Sequence, residues 1–359
     1  MMHYPLLKIH TQAIRHNIRA ILQKLNQWQL RAVAITKGFC ADLPLVKLFL
    51  EEGITCFGDS NPGNLLKIKH TFSTRNSDLQ LYLIRLPMSS EIQLIVDNNI
   101  VPFVSNFESL QLLNHAAYKV GKFQKVILAV EGGDAREGFL EEEILGNFNF
   151  KALKYVDIVG LGTTLACLNG VLPDLDIVTR LVALKKQLEE KLDKELTLSV
   201  GGTTFLELWE GEPLPRGVDE IRMGEAFLFG HDISRKKAFS WLNQDAFEVV
   251  AEIVEVKRKQ PLWGKARGFD AFGKTSAFLL SGEEKERALV AIGKQDVDEN
   301  QLYPEDKNVT IIGATSNYLV LDVSKSSQNY KPGDTLSFRA GYGAVLRAFL
   351  SPYVSKIYF

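Results

Sequence analysis

Several side chains in this sequence have the types and spacing to do chemistry on a small molecule. Lys37 directly follows the apolar run Arg31–Thr36. An amine at the end of a buried strand is partly desolvated, gives up its proton more readily and suits Schiff-base formation. The same place also suits a lysine that only snorkels to solvent. Gly201-Gly202-Thr203-Thr204 and Gly224-Glu225 follow two other short apolar runs. Their backbone N–H groups and hydroxyls make either an anion site or two ordinary tight turns. Arg136 and Arg222 are fixed cations whose fork geometry fits a carboxylate or an anionic cofactor, or a structural ion pair. Cys167 is either a thiol acid/base or a small buried hydrophobe.

Positioning these residues is the task of the surrounding elements. Strand-like runs occur at Arg31–Thr36, Ile54–Gly58, Leu79–Arg85, Val101–Val104, Lys125–Val130, Val156–Gly162, Leu196–Val200 and Asp219–Arg222. Helical patterns lie between most of them, at Pro44–Glu52, Asn61–His70, Phe107–Val120 and Leu175–Leu192. In the last, Ile177, Leu181, Leu184 and Leu188 recur at spacings of three and four. Eight strands alternating with helices predict an α/β fold, a (β/α)8 TIM-like barrel. A doubly wound open sheet is the competing solution, but no G-x-G-x-x-G follows an early strand. After His231 helical signals nearly vanish, and Phe247–Lys257, Arg287–Ile292, Val309–Ile312, Tyr318–Val323 and Thr335–Phe338 read as strands. The expected domains are a barrel over 8–234 and a β-rich domain over 235–359 with 1–7. Leu6–His10 reads as an extra strand that crosses into the latter.

Active sites of such barrels form at the C-terminal ends of the strands. That places Lys37 after the first strand, Arg136 after the fifth, Cys167 after the sixth, Gly201–Thr204 after the seventh and Arg222–Glu225 after the eighth. Phosphate sites gather after strands seven and eight. A phosphate site combined with a strand-one lysine suggests pyridoxal phosphate, which needs both.

Composition excludes other classes. Lys plus Arg number 42 and Asp plus Glu 43, a net charge of −1 over 359 residues. Nothing global favours nucleic acid or an anionic membrane. No apolar run reaches the roughly 18–20 residues of a spanning helix. The opening MMHYPLLKIH lacks a signal pattern. Three cysteines, Cys40, Cys56 and Cys167, are too few for a disulfide framework. A soluble, reduced, cytoplasmic protein is expected, with no metal site, because no zinc spacing occurs among Cys and His.

Taken in order, the motifs resemble the alanine racemase-like (fold type III) pyridoxal-phosphate enzymes, and among them most nearly the ornithine racemase branch. The resemblance runs through AITKGFCAD, LIRLPM, EGGDAREGF, GLGTTLACLNG, SVGGTT, IRMGEAFLFG, GFDAFG, RALVAIGKQDVD and GYGAVLRAF. It implies that Lys37 carries the cofactor as an internal aldimine. Thr203, Thr204 and the backbone at Gly224 and Glu225 would hold the phosphate, with Tyr342 near it. Arg222 would face the pyridine nitrogen. Arg136 would lie near the phenolic oxygen and the substrate carboxylate, and Asp296 would help bind substrate. It also implies a small amino acid as substrate, ornithine foremost, and a homodimer in which one chain's β-rich domain completes the other's site.

The departures from that pattern shape the chemistry. Phe269 stands where alanine racemases carry a tyrosine base, Ala129 where they carry a modified lysine, and Thr164 where they carry a histidine. Gly-Phe-Cys-Ala follows Lys37, without a phosphate-binding tyrosine. Racemisation needs a proton transfer on each face of Cα. Lys37 serves one face, and Cys167, then Asp270, are the candidates for the other. Arg222 disfavours protonation of the ring nitrogen and so points away from decarboxylation. A cofactor carrier without turnover, or a racemase of lysine or alanine, stays as the alternative. Glu131, Asp134 and Glu137 flank Arg136, either as acidic partners for a basic substrate or as solvated loop carboxylates.

Overall fold

The computed structural model describes residues 3–74, 78–146, 149–211, 216–259, 268–273 and 285–359. By contacts the chain divides into two units, one of residues up to Gln12 with Asp245–Phe359, the other Ala13–Gln244. The chain opens with β1 (Leu6–Ile9) and α1 (Thr11–Gln27). Eight parallel strands then close into a barrel: β2 (Arg31–Ile35), β3 (Cys56–Asp59), β4 (Gln80–Leu83), β5 (Val101–Val104), β6 (Gln124–Ala129), β7 (Val156–Thr164), β8 (Thr197–Gly201) and β9 (Glu220–Met223). Closure puts β9 beside β2, with Arg31 opposite Glu220 and Val33 opposite Arg222. Between the strands run α2 (Leu43–Glu51), α3 (Pro62–Phe72), α4 (Ile92–Asp97), α5 (Phe107–Lys119), α6 (Glu141–Leu145) and α7 (Leu175–Leu192). α8 (Thr204–Gly211) follows β8 and α9 (Glu225–Phe229) follows β9. This is the barrel that the alternation of patterns predicts.

The strands are short because both faces are buried, as a parallel sheet wrapped in helices requires. Val33, Ile35, Cys56, Tyr82, Val101, Phe103, Ile127 and Ala129 pack into one inner cluster, two residues apart along each strand. On α7, Leu181, Leu184 and Leu188 turn inward, as their spacing dictates. Truncating one fully buried side chain such as Leu188 to alanine costs about 2–5 kcal/mol. Helix starts are set by local chemistry. Asp42, Asn61, Asn106 and Asp174 accept a first-turn N–H from Leu45, Gly63, Ser109 and Ile177 respectively.

A small hairpin, β10 (His231–Asp232) with β11 (Lys237–Ala238), closes this unit. The Asn17 amide ties the following segment to α1, donating to Phe227 O and Asn243 O and accepting from Asn243 N. These bonds keep residues 235–244 with the barrel, so the contact boundary lies at 244/245 rather than 234/235. At the other end it lies at 12/13 rather than 7/8.

The second unit holds β12 (Phe247–Lys259), β13 (Lys285–Val290), β14 (Leu302–Pro304), β15 (Thr310–Ala314), β16 (Leu319–Asp322) and β17 (Thr335–Ala340), then α10 (Tyr342–Leu350) and β18 (Ser355–Tyr358). The sheet runs β14-β17-β12-β13-β16-β15, and β1 joins it antiparallel to β12 and parallel to β18. The expected crossing strand is thus present. α10 departs from the expectation that helical signals vanish after His231. Ala344, Val345, Ala348 and Phe349 make a buried helical stripe too short to stand out by period alone.

Candidate active site

The C-terminal ends of β2, β6, β7, β8 and β9 carry the sequence-predicted residues of the barrel. β2 runs into a 3-10 turn, Lys37–Phe39, followed by Cys40 and Ala41 in the left-handed region (φ 51° and 47°). Phe39 is fully buried and stacks on Phe49 at 5.8 Å, which pins the turn. The Lys37 side chain is partly exposed. No hydrogen bond or ion pair holds its ammonium among the described residues. Asp59, which ends β3, lies within electrostatic reach of Lys37. Its carboxyl accepts from Thr36 Oγ1 (2.6 Å), Asn61 N (2.8 Å) and Asn64 Nδ2 (3.1 Å). Burial pushes its pKa above the ordinary carboxylate value, against those donors. Sequence reasoning missed Asp59, although an acid that closes an apolar strand beside the lysine's own strand is a usable signal.

Alternation along β9 turns Arg222 into the barrel interior. Its Nη1 donates to Ser199 O and Ser199 Oγ, both at 2.7 Å. Its Nη2 donates to Thr163 O (2.5 Å) and Thr164 Oγ1 (2.9 Å). The guanidinium lies over the Phe103 ring, 4.5 Å from the centroid. Room for it comes from missing side chains. A Cβ at Gly201 would sit 2.7 Å from Arg222 Nη2, and one at Gly162 2.4 Å from Phe103 Cε1. Burial lowers the Arg222 pKa to about 10, which still leaves a cation at neutral pH.

Beyond β8 the two threonines behave differently. Thr203 Oγ1 accepts from Ala226 N (3.2 Å) and so fastens the first turn of α9. Thr204, which begins α8, is 2% exposed, and its hydroxyl has no partner among the described residues. The first N–H groups of a helix have no partner within it. Gly224 precedes α9 without a side-chain cap. The Glu225 carboxylate is turned to the hairpin, accepting from Ile233 N and pairing with His231 Nδ1 at 2.7 Å. An unsatisfied buried hydroxyl at a helix start fits an anion such as a phosphate.

The segment after β6 is a self-contained electrostatic unit. Arg136 Nε and Nη2 donate to the Glu137 carboxylate, and Nη1 donates to Cys167 Sγ. Although burial opposes it, the Glu137 carboxylate holds Arg136 above its ordinary value. Cys167 is exposed, which removes the buried-hydrophobe reading. Asp134 is 1% exposed and accepts from the backbone N–H groups of Cys167, Leu168, Asn169 and Val171. Against burial, these donors hold its carboxyl below the usual carboxylate range. Glu131 accepts from Gly133 N and Ala135 N. All three flanking carboxylates are therefore engaged, Glu131 and Glu137 by groups of their own loop and Asp134 by the backbone after β7.

Three predicted residues lie in the other unit. Asp270 is exposed, and its carboxylate accepts from Phe272 N at 2.8 Å. Phe269 beside it is 74% exposed. Asp296 is buried and accepts from Ser351 Oγ (2.8 Å) and Gly293 N (3.4 Å). Tyr342 begins α10. Among the described residues no His, Cys, Asp and Glu cluster suits a metal, and no helix is long and apolar enough to cross a membrane.

The family described as alanine racemase, N-terminal domain, matches residues 9–232. The chain belongs to the alanine racemase family. It is 34% identical to an ornithine racemase of Acetoanaerobium sticklandii, over 98% of this chain and 99% of that protein. It is 31% identical to a lysine racemase of Thermotoga maritima, over 99% of this chain and 98% of that protein. The solved alanine racemase of Bartonella henselae, which has covalently bound pyridoxal phosphate, matches with a TM-score of 0.74 at 16% identity, covering all of both chains. At that identity the likeness speaks for the fold.

Proposed function

We propose that the protein is a pyridoxal-phosphate-dependent racemase that interconverts the L and D forms of a basic amino acid, ornithine first. The observation that carries the chemistry is one barrel mouth holding an unpaired lysine, a buried arginine and an orphaned threonine hydroxyl. End-to-end similarity to an ornithine racemase supports the substrate. Lys37 would hold the cofactor covalently. Thr203, Thr204 and the backbone of Gly224 and Glu225 would hold its phosphate, and Arg222 would donate to its ring nitrogen. When bound, the cofactor supplies an electron sink that makes the amino acid's Cα–H acidic.

The chain's own residues do the rest. Lys37 takes or returns the Cα proton on one face. Cys167 serves the opposite face, as a thiolate that accepts the proton or a thiol that gives it. Its sulfur already receives the Arg136 Nη1 donor. Asp270 is the second candidate for that face. The remaining N–H groups of Arg136 are directed to the substrate carboxylate. The reading includes a cytoplasmic homodimer in which a partner chain contributes Tyr342 and Asp296.

Proton NMR in deuterated water tests this, with L-ornithine, L-lysine and L-alanine offered in turn with pyridoxal phosphate. Loss of the α-proton signal of ornithine, with chiral conversion, is expected. Lys37→Ala should abolish that exchange and the visible absorbance of the bound cofactor; a variant with native turnover would sink the assignment. Phe269 in place of the tyrosine base favours one second reading, a cofactor carrier, and bound cofactor without exchange of any amino acid would establish it.

A further inference from the structure

Arg222 is a buried cation that no carboxylate touches among the described residues. Its donors go to Ser199, Thr163 and Thr164, and its plane rests on Phe103. Keeping such a charge out of water is costly. Two residues earlier on β9, and so on the same face of the strand, stands Glu220, which is 0% exposed. Barrel interiors are ordinarily filled by branched apolar side chains. Here Val33, Val101 and Ile127 conform, and the carboxylate does not.

Arg31 lies opposite Glu220 in the β2–β9 ladder and donates to its Oε2 from Nε (3.1 Å) and Nη2. The Tyr82 hydroxyl stands 3.4 Å from the same oxygen. Oε1 has no partner. Burying the Glu220 carboxylate against a half-exposed arginine, with one oxygen unpartnered among the described residues, is a poor source of stability. Its value must therefore lie elsewhere. We propose that Glu220 is a positioning residue for Arg222, its negative charge moderating the positive field that Arg222 turns toward the cofactor's ring nitrogen. This rests on the cofactor reading above.

The charges around Arg222 support it. Burial pushes Arg222 down, and Glu220 is the foremost group that opposes the fall. Tyr82 of β4 also faces Arg222, and Cys56 of β3 lies beside Tyr82; burial pushes both far above their ordinary values, so both stay neutral. Arg136 and Glu137, after β6, pair with each other. The Arg31 side chain is 45% exposed, so water screens its charge, whereas the Glu220 side chain is fully buried.

The test is the 15N resonance of ring-labelled pyridoxal phosphate bound to the full-length protein without substrate. Glu220→Gln keeps the shape and removes the charge. It should make Arg222 a stronger donor and displace the resonance upfield. Arg31→Gln leaves the Glu220 charge uncompensated and should displace it downfield. Glu220→Asp, which retains the charge, should restore the native position. Displacement of both Gln variants in the same direction, or of neither, overturns the proposal, as does an Asp variant that follows Glu220→Gln. If Glu220→Gln does not fold, a downfield Arg31→Gln with Glu220→Asp at the native position is the result expected, and an Arg31→Gln resonance that is unmoved or displaced upfield overturns the proposal. A native protein that binds no pyridoxal phosphate overturns the cofactor reading itself, which is a separate result.

Discussion

Around one barrel, helices begin in two ways. α2, α3, α5 and α7 start on Asp42, Asn61, Asn106 and Asp174, whose side chains accept first-turn N–H groups. α8 starts on Thr204, whose buried hydroxyl has no partner among the described residues, and α9 starts behind Gly224, its first turn held from a distance by Thr203 Oγ1 on Ala226 N. A cap contributes about 1 kcal/mol, and a buried unsatisfied group costs about 1–3 kcal/mol. The chain thus leaves a buried hydroxyl unsatisfied at the start of α8, among the described residues, and places side-chain caps at α2, α3, α5 and α7. A ligand anion supplies what the side chains withhold, so the difference separates residues kept for the fold from residues kept for the ligand.

The largest expected effect is at the open start. Thr204→Val should weaken pyridoxal phosphate binding by about tenfold, in line with one lost hydrogen bond to a charged group. Because the hydroxyl has no partner among the described residues, the melting temperature without cofactor should stay the same or rise. A fall in that temperature would show that Thr204 serves the fold, and would erase the contrast. At a closed start, Asn106→Ala should cost about 1 kcal/mol in denaturant unfolding while cofactor affinity holds. If affinity fell with it, the two classes of helix start would not be separable.

The smallest effect concerns Asp134, which does for residues 167–171 what Asn106 does for α5. Its folded pKa is depressed, so its contribution is complete above the unfolded aspartate value of about 3.9 and is lost as pH falls through the lower folded value. Backbone amides of Cys167, Leu168, Asn169 and Val171 should be protected from hydrogen exchange near neutral pH. Protection should decline in acid, and Asp134→Ala should lose it at every pH. Equal protection in variant and native protein would leave the loop held by something else.

Much of this was legible in the sequence where physics is local. Most barrel strands were readable because both faces are apolar, and α7 because its stripe repeats over several turns. Lys37, Arg222 and the two glycine-rich exits were readable because strand ends in a barrel share one rim. What escaped was set by contacts between distant segments. Nothing near Asp134 in the chain announces that it binds the backbone more than thirty residues later. Glu220 sits in a strand of four residues, too short for alternation to mark it as interior. α10 escaped because one apolar stripe over nine residues does not stand out by period alone.

The weaving of β1 into the second sheet sets an order of events during synthesis. Leu6–Ile9 leave the ribosome before any barrel strand, yet they pair with Phe247–Val250 and Ser355–Tyr358. The barrel segment between them can close on mostly near-neighbour strand pairs, while the early strand waits with both edges bare. Chaperone engagement of nascent chains should therefore persist well past Gln244. A polypeptide arrested before Ser355 would leave β1 one partner short, so damage near one end of the chain is felt at the other.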